Sequence, residues 1–224
     1  MTVCLAGLTA AAQVYSVNVV GYINLTLKPG FNMVANQLDA GAGKNFLDQL
    51  LPTGLPDGTM CYKYNGTKFL VATYIVVGAE SMWDFGDATA ADFSLAPGEG
   101  AFLRVPGTAD ATITFVGEVK QGTLTTQLPA GFWIASSQVP QAGVLATDTG
   151  NPNPPVNLLM PAADGDMVYK WNVGLQKYDV YTFIAPPPGT ETMWDPAPPP
   201  VEVGESVFVR KIAPAAWTRT FNVQ

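Results

Sequence analysis

Asp57-Gly-Thr-Met-Cys-Tyr-Lys-Tyr-Asn65 returns later in the same chain as Asp164-Gly-Asp-Met-Val-Tyr-Lys-Trp-Asn172. The neighbouring stretches return in the same order. Lys68-Phe-Leu-Val-Ala-Thr-Tyr-Ile75 matches Lys177-Tyr-Asp-Val-Tyr-Thr-Phe-Ile184, and Met82-Trp83-Asp84 matches Met193-Trp194-Asp195. Pro97-Gly-Glu-Gly-Ala-Phe-Leu-Arg104 matches Val203-Gly-Glu-Ser-Val-Phe-Val-Arg210. Matching positions stay 106 to 111 residues apart, so the copies differ by loop insertions and share one fold. The expected organisation is a leader-like segment over 1–13, a first unit over 14–119 and a second over 120–224.

Within each copy the pattern is that of β-strands. Val14-Tyr-Ser-Val-Asn-Val-Val20 and Tyr22-Ile-Asn-Leu-Thr-Leu27 alternate apolar and polar residues and are rich in β-branched types. Asn65-Gly66 between two such runs is a hairpin signal. Asn45-Phe-Leu-Asp-Gln-Leu-Leu51 alone has helical spacing, ended by Pro52. Six or seven short strands per copy predict an all-β chain of two tandem antiparallel β-sandwich or barrel-like units packed end to end. No linker separates them, because Thr114-Phe-Val-Gly-Glu-Val-Lys-Gln-Gly122 runs straight from one copy into the next.

Composition narrows the function classes. The 224 residues are 48% hydrophobic and 13% charged, with 22 Gly and 19 Pro, a folded and loop-rich composition. A net charge of −7 with only 11 basic residues argues against a nucleic-acid partner, which needs clustered Lys and Arg. The chain has no histidine, the most frequent general base and metal ligand. Of the two cysteines, Cys4 lies in the leader-like segment, and Cys61 stands where the second copy has Val168, as a small buried hydrophobe would. Residues 1–13 form an apolar run closing in small residues, like the end of a secretory signal, so export to the cell exterior is expected. No stretch approaches the roughly 20 apolar residues that a spanning helix needs.

The segments Ser16-Val-Asn-Val-Val-Gly-Tyr-Ile-Asn24, Gly30-Phe-Asn-Met-Val-Ala-Asn-Gln-Leu38, Pro97-Gly-Glu-Gly-Ala-Phe102 and Phe115-Val-Gly-Glu-Val119 resemble a family of functionally uncharacterised secreted proteins abundant in Verrucomicrobia and related bacteria. The resemblance covers nearly the whole chain. It implies export and a doubled β-domain, and it carries no catalytic residues.

Candidate sites are few, and neither a catalytic set, a metal site nor a cofactor is expected. At the junction, Thr114-Phe-Val-Gly-Glu-Val119 closes copy one and leads into copy two, while similar strands stand alone at the two chain ends. The ends, through Val14, Tyr15, Val17, Val19, Phe221 and Val223, could complement one another between molecules and build a filament or surface layer. The alternative is that both terminal strands pair within one chain. Trp83 with Asp84, and Trp194 with Asp195, offer a second reading as a polysaccharide-binding module, set against a role for Trp as a core anchor. Asp84, Asp87 and Asp92 match no calcium-loop spacing. Glu99 with Arg104, and Glu205 with Arg210, read as a repeated ion pair, and Lys63 and Lys170 as a solvated strand face.

Overall fold

The computed structural model describes residues 19–146, 156–185 and 192–223. The first half contains β1 (Val20–Leu27), β2 (Gly30–Ala35), the short helix α1 (Leu47–Leu50), β3 (Met60–Tyr64), β4 (Phe69–Val77), β5 (Glu80–Asp84), β6 (Gly100–Val105) and β7 (Ala111–Glu118). The second contains β8 (Gly122–Leu128), β9 (Gly131–Ala135), β10 (Gly143–Val144), β11 (Met167–Asn172), β12 (Lys177–Ile184), β13 (Met193–Asp195), β14 (Pro200–Val201), β15 (Val207–Lys211) and β16 (Ala215–Phe221). The all-β expectation holds, and every named strand pair is antiparallel. No helix among the described residues is long and apolar enough to cross a membrane.

Named strands before residue 119 pair only with one another, and so do those after 121. β1 pairs with β7, and β8 pairs with β16. The sheet β2-β6-β3-β4-β5 has its counterpart in β9-β15-β11-β12-β13, the same order by matching strands. In each half the two-stranded ribbon covers one face of the five-stranded sheet. In the first, Ile23, Leu27, Ile113 and Phe115 of the ribbon pack with Val34, Cys61, Ala72, Tyr74, Leu103 and Val105 of the sheet. In the second, Leu128 and Trp217 pack with Ala135, Val168, Phe183, Val207 and Val209. Period-two alternation sends Tyr22, Asn24 and Thr26 outward from β1 while Ile23 and Leu27 turn in.

β6 and β15 break that alternation, being buried on almost every residue. Their second faces are covered by the other half of the chain. Met33, Phe102, Ile134 and Phe208 form a third buried cluster, joined by Phe31, Tyr62, Tyr64, Tyr169, Trp171 and Tyr178. Where the sequence suggested end-to-end packing, the contacts therefore run between sheet faces.

The terminal strands are accounted for within the chain wherever they are described. Val119 N–H donates to Val19 O at 2.8 Å, Phe221 stands opposite Gly122, and Val223 N–H donates to Gln121 Oε1 at 3.0 Å. Among the described residues β1 and β16 therefore pair within one chain, and a contact between molecules would add to these pairs without replacing them. Val14, Tyr15 and Val17 lie outside the described residues. Met82-Trp83-Asp84 and Met193-Trp194-Asp195 belong to edge strands β5 and β13.

Candidate functional site

The region of the molecule with most features left unexplained by either half alone is the seam between them. Its polar contacts come in reciprocal pairs, as a two-fold relation between the halves produces. Ala35 N–H donates to Gly204 O at 2.8 Å, and Ser136, its counterpart, donates to Gly98 O at 3.0 Å. Val34 bridges Glu205, and Ala135 bridges Glu99. The repeated Gly-Glu turn of each half therefore docks on the first-strand region of the other. Gly98 and Gly204 both have positive φ, +97° and +78°. A side chain at Gly98 would meet Thr126, and one at Gly204 would meet Leu25, the matching position.

Around these turns the two halves diverge in chemistry. Gln37, almost fully buried, receives Gly204 N–H on Oε1 at 2.9 Å and donates to Ser136 Oγ and Ser137 O, both at 3.2 Å. Gln138, its counterpart, donates to Thr125 O in its own half. Ser206 Oγ donates to Val34 O at 2.9 Å. Neutral hydrogen bonds of this kind contribute about 1 kcal/mol each, and losing one buried partner costs more.

The repeated acidic residues do pair, but with lysine. Lys63 Nζ lies 3.3 Å from Glu99, and Lys170 Nζ lies 3.1 Å from Glu205. Each lysine also donates to a backbone carbonyl at the matching place, Ser94 O and Pro200 O. Arg104 is excluded by parity, because it shares a sheet face with Phe102 while Lys63 shares one with Cys61. Burial pushes the Glu205 carboxyl above the ordinary glutamate range, and the backbone and Lys170 pull it back.

Trp83 and Trp194 are core anchors, which corrects the polysaccharide reading at these residues. They are 7% and 5% exposed, so neither offers a free ring face to a sugar. Trp83 Nε1 donates to Leu51 O at 2.8 Å, and the ring packs edge-on against Tyr74. Trp194 packs in the same manner against Phe183. Asp84 receives the Gly86 N–H and shapes the turn that follows, and Asp195 is an exposed residue at the end of an edge strand. Asp92 caps Thr89. Among the described residues no three of His, Cys, Asp and Glu come together as metal ligands would. Cys61 is inert by environment, since burial pushes its thiol up to about 12.

The seam also holds what the sequence did not indicate. A cavity of about 270 Å³ opens between the halves, lined by Phe31, Tyr62, Phe69, Phe102, Trp171 and Tyr178. Trp171 Nε1 donates across the seam to Phe31 O at 2.7 Å, and Gln176 Nε2 donates to the same oxygen at 3.1 Å. Period-two alternation of aromatics in β3 (Tyr62, Tyr64) and β11 (Tyr169, Trp171) is the sequence signal for part of these walls. It reads equally well as a face turned to each unit's own core, which is how it misleads. Comparison of the chain with known protein families, curated proteins and solved structures finds no match.

Proposed function

We propose that the protein is an exported, non-enzymatic structural protein of the cell exterior that assembles with copies of itself through its terminal β-strands. One observation carries the reading. The outer face of the β1–β7 ribbon bears Val20, Tyr22 and Val116 at 55%, 69% and 43% exposure, with Tyr22 directly opposite Val116. The matching face of the β8–β16 ribbon carries Thr123, Thr125, Thr218 and Thr220, with Thr hydroxyls in contact across the strands. Folding treats both ribbons alike, so the apolar strip on one of them serves another purpose, and contiguous exposed apolar surface is characteristic of contact sites.

The assembly contact joins that strip to the C-terminal strand of the next copy, where Phe221 is half-buried and Val223 is 41% exposed. A head-to-tail contact of this kind propagates, whereas a strip-to-strip contact would stop at a dimer. Burying three such side chains contributes about 1.5–3 kcal/mol each, against an association cost of about 4–15 kcal/mol. Neighbouring backbone contacts must therefore add to it. The low charge content and the resemblance to secreted proteins support the location.

Sedimentation and negative-stain microscopy of the purified chain test this. Wild type is expected to form open-ended oligomers, and Tyr22→Lys to sediment as a monomer with an unchanged circular dichroism spectrum. A wild-type monomer at every concentration, or a Tyr22→Lys variant that assembles normally, would overturn the proposal. A closed dimer would rule out the filament.

A further inference from the structure

The cavity between the halves is walled by six aromatic side chains and no charged one. Four come from the first half and two, Trp171 and Tyr178, from the second. The rings around Trp171 stand close to perpendicular to it. Phe31 meets Trp171 at 77°, Phe102 meets Trp171 at 88°, and Trp171 meets Tyr178 at 79°, with centroids 4.9 to 6.2 Å apart. Rings so arranged wall a box, in contrast to a flat stack. The volume, about 270 Å³, falls just below the roughly 300–1,000 Å³ of small-molecule sites and suits a head group better than a drug-sized ligand.

The polar groups around the box decide the ligand class. Phe31 O already accepts from Trp171 and Gln176, and Tyr62 Oη is directed to Met60 Sδ at 3.2 Å. A sugar or a primary ammonium brings several O–H or N–H donors, and beyond the Tyr178 hydroxyl the box offers them few acceptors. A quaternary ammonium has no N–H to satisfy. Its charge is spread over methyl groups, it is weakly hydrated, and it is attracted to the negative faces of Trp, Tyr and Phe. The chain's net charge of −7 draws cations toward the molecule in general.

We propose that this aromatic box binds a trimethylammonium group, as carried by choline and related solutes or by a choline lipid head group. The proposal is independent of the assembly reading, because none of the six residues belongs to the β1–β7 strip. It also assigns a use to the asymmetry of the seam. Trp171 stands where the first half has Tyr64, and the matching position across the seam is filled by Tyr64 packed on Phe208.

Titration calorimetry of the full chain with choline, alongside its neutral isostere 3,3-dimethylbutanol, tests the idea. Choline is expected to bind at least tenfold more tightly than the isostere. Phe69→Leu removes a ring face at a position already 41% exposed, and is expected to weaken choline severalfold with the thermal transition still cooperative. Tyr178→Leu is expected to weaken it further while leaving the thermal transition cooperative. Flotation with phosphatidylcholine vesicles separates the sources: co-flotation lost in Tyr178→Leu identifies the lipid head group, and its absence identifies the free solute. Equal binding of choline and the isostere would overturn the cation claim. No heat of binding at roughly 10 mM choline, well above a millimolar dissociation constant, together with no vesicle binding would overturn the site altogether.

Discussion

Lys211→Met is expected to destabilise the protein by about 3–5 kcal/mol, the loss typical of stripping one partner from a buried ion pair. Lys211 and Asp166 contact each other with both side chains only 2% exposed. Lys211 Nζ also donates to Pro161 O at 2.8 Å, while the Asp166 carboxylate accepts the Ile212 and Ala163 N–H groups, both at 2.7 Å. Removing the ammonium leaves that carboxylate in the interior without a counter-charge. The first half shows how the fold manages without the pair. Its matching residues are Thr59 and Val105, and at the positions of Ala163 and Ile212 it has Pro56 and Pro106, which have no N–H to satisfy. Asp166→Thr combined with Lys211→Val is therefore expected to recover most of the loss, ending within about 1–3 kcal/mol of wild type because up to two backbone donors stay unpaired. Urea unfolding measures both. A Lys211→Met variant within 1 kcal/mol of wild type would show that the site is wet.

Gly100→Val is expected to be the most damaging single change at the seam. A Cβ built there falls 2.4 Å from Ser206 Cβ and Oγ and 2.8 Å from Ile134 Cγ2. Gly100 and Ser206 are matching positions of the repeat, so here the two copies of one residue touch, and both cannot carry a side chain. Overpacking costs about 1–3 kcal/mol, and the displaced Ser206 also loses its bond to Val34 O, about 1 kcal/mol more. The exchange Gly100→Ser with Ser206→Gly returns one side chain to the pair and is expected to be milder than Gly100→Ser alone. Chemical denaturation of the three variants reads this directly. Equal stability of Gly100→Ser and the double exchange would mean that the strands do not approach as described.

The repeat made the correspondence of strands between the two halves readable, and period-two alternation separated core from surface in β1 and β7. What the sequence hid follows from one physical fact: alternation says which residues share a face, not what covers that face. The aromatics of β3 and β11 share a face with Phe102 and Phe208, and that face looks at the other half instead of inward. For the same reason Lys63 turns toward Glu99 at the edge of its own core. The short apolar runs Ala101-Phe-Leu103 of β6 and Val207-Phe-Val209 of β15 are buried on both faces, as in strands enclosed on two sides. The Trp residues beside Asp84 and Asp195 recur in both copies, which favours a core anchor, although an indole that stacks on a ligand has the same neighbours in sequence. Asp166 and Lys211 were visible as departures from the first copy, at Thr59 and Val105. Two lone departures more than forty residues apart announce a contact only when the fold brings them together.

Native-state hydrogen exchange tests the central claim, that reciprocal turns and a shared aromatic seam make the two halves a single cooperative unit. The buried amides of Cys61 in β3 and Val168 in β11 are expected to open with the same free energy, equal to that of global unfolding. Exchange of one half through a separate, cheaper opening while the other stays protected would contradict it.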